Sequence, residues 1–176
     1  MLRKAPILLA VLACVAAVAA PTASPSGSTG HGALSSLESG VLQQLNLIRA
    51  QHGLVALKLN VQLTEAAEQH SREMGADGYF QHTSHDGTAF WKRIQHWYGS
   101  AGYGYWSVGE NLLWSSPDVD PKGALQLWMN SPEHRANILT ARWRQIGVSA
   151  VHLGTAGGTY KGLPVTIITT DFGVRH

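Results

Sequence analysis

Nine histidines, and one glutamate set among tryptophans, are the side chains of this sequence best suited to chemistry. His134 follows Ser131, Pro132 and Glu133, a run that opens a helix: serine suits the N-cap, proline the first helical position, and the acid complements the helix dipole. His134 then stands third in that helix, where the positive end opposes proton uptake. Its imidazole is expected to stay neutral, the form that ligates metal or accepts a proton. Glu110 lies within WSVGENLLW, and in an extended strand Trp106, Val108, Leu112 and Trp114 share its face. A carboxylate among such neighbours must be paired, bound to a cation, hydrogen-bonded or protonated, because an unpaired buried charge costs on the order of several kcal/mol. His82 and His85 occupy the turn-rich stretch YFQHTSHDG. Each of these residues also has a plain structural use: SPEH starts a helix, Glu110 ties down a loop through backbone N–H groups, and a loop histidine is solvated.

The elements that must position them are legible from periodicity. Leu37, Val41, Leu45 and Ile48 recur at helical spacing ahead of Gly53 and predict a first helix over Ser36–Gln51. Leu63, Ala66, Ala67, His70 and Met74 predict a second over residues 61–76, with Asn60 as its cap and Gly78 beyond its end; His70 on that stripe reads as packed, not as a ligand. Residues 88–97 predict a third helix carrying Phe90, Trp91 and Ile94. The glycine and tyrosine stretch 100–105 reads as a loop, and its lone Gly102-x-Gly104 lacks the flanking strand and helix of a phosphate motif. Asp120 and Pro121 open a helix to about residue 130, and the β-branched runs 144–153 and 163–171 form a loose hairpin around four glycines. Several helices, one central strand and a terminal hairpin describe an α+β domain, an antiparallel sheet covered by helices.

Arg3 and Lys4 precede an apolar run over residues 7–18, and Ala17-Val18-Ala19 suits signal-peptidase cleavage, so residues 1–19 are expected to be a secretory signal. That run is short for a membrane span, and no later stretch approaches the roughly 20 apolar residues one needs. The mature chain is therefore expected to be secreted, with no transmembrane segment. A lipoprotein anchor at Cys14, through Val11-Leu12-Ala13-Cys14, is the weaker alternative, since Leu12 fits a lipobox poorly. Cys14 is the only cysteine, so no disulfide can form in the mature chain and stability must come from the core. Residues 20–34, rich in proline, glycine and serine, read as a flexible linker, and residues 35–176 as one domain. Without Arg3 and Lys4 the basic residues fall from 13 to 11, against 11 acidic ones. No basic tract argues for nucleic acid or an anionic membrane surface.

Four ordered motifs together carry a resemblance: Tyr79-Phe80-Gln81-His82, Val108-Gly109-Glu110-Asn111-Leu112, the run WMNSPEHRANIL over residues 128–139, and Ile146-Gly147-Val148. They resemble the CAP superfamily, which comprises the cysteine-rich secretory proteins, antigen 5 and pathogenesis-related 1 proteins (the SCP-like domain), in its bacterial, disulfide-free branch. The resemblance implies an α-β-α sandwich with a cleft of histidines and acids that binds divalent metal, often zinc, in some members. Carried onto this sequence, the cleft residues are His82, Glu110 and His134. One position departs from the pattern: many eukaryotic members have W-x-x-E, whereas here Trp128 is followed at that spacing by Ser131.

Two neutral imidazoles and a carboxylate, from segments 28 and 24 residues apart, would make a His2Glu set for Zn2+ or another divalent cation, with open positions for water. His85, Ser131, Asn111, Tyr103 and Trp106 would line the cleft or stand behind it. In the favoured reading the cleft binds an envelope or extracellular ligand: lipid, glycan or protein. In the alternative, His82, Glu110 and His134 are the catalytic residues of a metal-dependent hydrolase acting on peptide or cell-wall bonds. Against that stand the missing second acid and the absence of H-E-x-x-H or G-x-S-x-G. Whether the chain is an enzyme stays open at the level of sequence, as does its oligomeric state.

Overall fold

The computed structural model describes residues 34–176; the expected signal peptide and nearly all of the linker lie outside them. Helix α1 runs over Ser36–Gln51, started by a reciprocal capping box in which Ser35 accepts from the Glu38 amide while the Glu38 carboxylate accepts from that of Ser35. A two-residue strand, β1 (Lys58–Leu59), precedes α2 (Val61–Asp77), which Asn60 caps and Gly78 ends in a left-handed conformation with φ 70°. Then follow α3 (Phe90–Trp97), β2 (Trp106–Ser115), α4 (Pro121–Met129), α5 (Pro132–Ile138), β3 (Gln145–Ala156) and β4 (Leu163–Arg175). The expected third helix starts two residues late, at Phe90, because Thr88 is held in the preceding turn, its amide donating to Asp86 Oδ1 and its carbonyl accepting from the Ser84 amide.

The sheet has the order β1-β3-β4-β2. β4 is antiparallel to both long neighbours, and β1 pairs parallel with β3. The strand bearing Glu110, expected at the centre, therefore lies at an edge. The centre belongs to β4, which is buried without a break from Val165 to Val174, as a strand covered on both faces must be. β1 escaped the sequence reading because two residues carry no period.

One face of the sheet meets α1, α4 and α5 through Val41, Leu45, Trp128, Ile138, Trp143, Val148, Ile168 and Phe172. The other meets α2 and α3 through Leu63, Ala66, Ile94 and Tyr98, and through Met74, Leu112, Val165 and Ile167. This is the expected sandwich of helices, sheet and helices. At Gly147 the backbone of α2 comes so near that a Cβ would fall onto Leu63 and Thr64. Buried Arg49 ties the end of α1 to the end of α5, donating to the carbonyls of Ile138 (2.7 Å) and Thr140 (3.0 Å).

Candidate functional site

Alternation along β2 puts Glu110 on the face toward α2 and α3, opposite Asp171 of β4, and puts Asn111 on the face toward α5, opposite Thr170. β2 is an edge strand, and α5 closes its open side. Asn137 of α5 donates to the Glu110 carbonyl (3.2 Å) and to Asn111 Oδ1 (3.0 Å), while Asn111 donates to the carbonyl of His134 (3.2 Å). These bonds fix where α5 presents His134 against the strand.

His82 comes from the loop between α2 and α3, and that loop is pinned by buried groups. His70 meets the Gln81 carbonyl at 2.9 Å, Glu73 accepts from the His85 amide at 2.9 Å, and Arg93 donates to the His82 carbonyl at 3.1 Å and Ser84 Oγ at 3.0 Å. So held, His82 turns Nδ1 onto Glu110 Oε1 at 2.7 Å. The other carboxylate oxygen receives Arg93 Nη2. The side chain of Glu110 is 1% exposed and that of Arg93 2%, whereas that of His82 is 51% exposed. The acid is thus spent inside the fold, and it orients the imidazole so that Nε2, a lone-pair acceptor in the neutral ring, is the nitrogen left for a ligand.

His134 has its proton affinity lowered, first by burial and then by the charge His82 would carry. The direction is the one expected of a helix N-terminus, but the leading cause is burial. Ser131 occupies the N-cap position of α5 but makes no capping bond through its side chain. Its hydroxyl is not consumed by the helix.

The remaining cleft candidates separate. Asn111 stands behind the site as the strut to α5. His85 turns from Glu110 toward the end of α2, stacked on Tyr79 with ring centroids 5.5 Å apart and Nδ1 3.5 Å from Asp77. Trp106 donates through its indole to the Tyr98 carbonyl and packs beside α3. Tyr103 lies under the Arg175 guanidinium, 4.7 Å from the ring centre.

Arg93, Asn137 and Asp171 were missed as parts of the site. Arg93 did leave a signal: Phe90, Arg93, Ile94 and Trp97 form the inner stripe of α3, and a cation on such a stripe needs buried acceptors, an acid or backbone carbonyls. Asp171 left one too, as the acid in an otherwise β-branched run.

Among the described residues no three or more His, Cys, Asp or Glu side chains are gathered as a cation would require. With Arg93 already neutralising Glu110, the donors fit a resident His2Glu zinc centre poorly. Glu110 instead stands behind His82 in the place of an orienting carboxylate.

The family model described as the cysteine-rich secretory protein family, CAP, matches residues 42–168. The chain is 31% identical to an uncharacterized protein of Bacillus subtilis, YkwD, over 123 residues, covering 70% of this chain and 46% of that protein. Among solved structures, an extracellular protein from Bacillus anthracis containing an SCP domain is 30% identical with a TM-score of 0.55, over 80% of this chain and 44% of that one. An outer surface protein of Borrelia burgdorferi shares the fold at 20% identity and a TM-score of 0.61, over 77% of this chain and 90% of that one. The chain spans less than half the length of the two Bacillus proteins.

Proposed function

Because this chain belongs to the CAP family of cysteine-rich secretory proteins, with helices on both sides of a four-stranded sheet, we propose that it is an exported binding protein whose His82 and His134 engage an envelope or extracellular ligand. The single observation that carries this reading is the spending of the acid: Glu110 is enclosed by Arg93 and His82, so an incoming molecule meets the half-exposed His82 imidazole and not that carboxylate. Such a surface recognises by hydrogen bonding. Lipid, glycan and protein are the ligand classes. Export is supported by two relatives described as an extracellular and an outer surface protein, and among the described residues no helix is long and apolar enough to cross a membrane. A divalent cation, Zn2+ included, enters as an exchangeable companion of the ligand, held by the two imidazoles.

A second reading, hydrolysis, is favoured by one observation. His82 with Glu110 behind it is a base oriented by a carboxylate, the arrangement general-base catalysis uses, and the uncapped Ser131 hydroxyl precedes His134 by three residues.

The two separate in one experiment on the purified chain, wild type against H82A, exposed to membrane extracts, peptidoglycan fragments and peptide libraries. Retention of one ligand class by wild type and its loss in a folded H82A supports binding. Turnover of peptidoglycan or peptide by wild type that H82A loses overturns it in favour of the hydrolase.

A further inference from the structure

Directly across the ladder from Glu110 stands Asp171, fully buried, and neither of its carboxylate oxygens meets a hydrogen-bond partner. No donor reaches either oxygen, although the buried Arg93 Nε–H and Ser149 hydroxyl are themselves without partners. On the β3 side its register partner is Gly147, which has no side chain. Arg93, the cation facing it from α3, already gives Nη2 to Glu110, and buried His70 of α2 is directed to the Gln81 carbonyl. Cross-strand neighbours stand about 5 Å apart at Cβ, so the two carboxyl groups are side by side. Two carboxylates are acceptors only and repel, and the contact becomes favourable when one proton lies between them.

We propose that Asp171 is a positioning residue of this site: a buried carboxylic acid that donates its proton to Glu110 from the adjacent strand and so fixes the acceptor on which His82 is oriented. Glu110 then has three donors, His82, Arg93 and Asp171, one from each flanking element and one from the sheet. Burial, followed by the charge of Glu110, holds the Asp171 carboxyl well above the usual carboxylate range, in keeping with this assignment. The proton remains with the pair, and no bond to a ligand is made or broken.

The proposal rests on the His82–Glu110 pair of the proposed site but not on any ligand, and its test uses the protein alone. Carboxyl 13C NMR of the labelled chain at pH 7 reads Asp171 directly. A protonated acid supports the assignment, and an ionised carboxylate overturns it. The His82 Nδ1–H proton reports the consequence. In D171N, which keeps a donor, its exchange with water matches wild type; in D171L, which keeps the volume and loses the donor, exchange quickens about tenfold. Equal exchange in wild type and a folded D171L overturns the proposal, and should D171L not fold, the carboxyl reading of the wild type decides alone. None of these results depends on retention or turnover of a ligand, so failure here is distinct from failure of the binding reading.

Discussion

The carboxamide of Asn137 occupies the space that a side chain on Gly109 would need: a Cβ there would lie 2.7 Å from Asn137 Oδ1 and 2.9 Å from the Trp143 ring. The glycine next to Glu110 is what lets α5 come close enough for Asn137 to bond the edge strand. G109A is therefore expected to lose about 1–3 kcal/mol, the usual cost of overfilling a packed contact, and to loosen His134 along with α5. Urea denaturation checks the first, and the His134 ring resonance in NMR the second. Unchanged stability would mean that α5 tolerates displacement.

Arg93 neutralises Glu110 where neither sees water. R93M leaves that carboxylate with His82 and no fixed cation, and is expected to destabilise the fold by about 3–5 kcal/mol. Adding E110Q to R93M should restore part of the loss, since the orphaned charge is then gone. A double-mutant cycle in chemical denaturation measures the coupling, and additive losses would refute the pairing.

His70 is fully buried, and its proton affinity is lowered below the ordinary 6.5, chiefly by burial, against the opposing pull of Glu110. The unfolded chain therefore takes up this proton first as pH falls through 6.5. Stability contributed by neutral His70 is present above that pH and is lost below it, down to the lower folded value. Melting followed from pH 7.5 to 5 should show this loss as the difference between wild type and H70Q, which removes the His70 contribution and leaves those of the other groups.

Asp171 behaves with the opposite slope. Its folded-state affinity for a proton is raised, so the folded chain holds a proton that the unfolded chain releases above 3.8, and stability falls as pH rises from there toward the folded value. D171N removes that dependence and is expected to be more stable than wild type at neutral and alkaline pH. A D171N whose melting temperature stays no higher than that of wild type at every pH between 5 and 9 would contradict this.

Chelation offers a further comparison. Because Glu110 already has Arg93 as its cation, removing divalent metal with EDTA is expected to leave the melting temperature unchanged, whereas added Zn2+ should perturb His82 and His134 and leave Glu110 in place. A fall in melting temperature on chelation would show a resident metal.

Much of this protein was determined by its sequence alone. The helices at Ser36–Gln51 and Pro121–Met129, the terminal hairpin and the extended run through Glu110 follow from apolar period and capping residues, which are local properties of the chain. His82, Glu110 and His134 could be named because their motifs are local too. Tertiary structure decided what surrounds each. Whether β2 lies at the edge or the centre depends on which strand β4 pairs with, a choice made across 50 residues and more. Whether Glu110 is a free acid depends on Arg93, whose helical stripe announces burial but not its partner. Asp171 becomes the neighbour of Glu110 only through the register of two strands, and a shift of one residue would turn it to the other face. Periodicity is written in neighbours along the chain. Charge pairing, burial and register arise between segments far apart in it, and so they are fixed when the sheet closes.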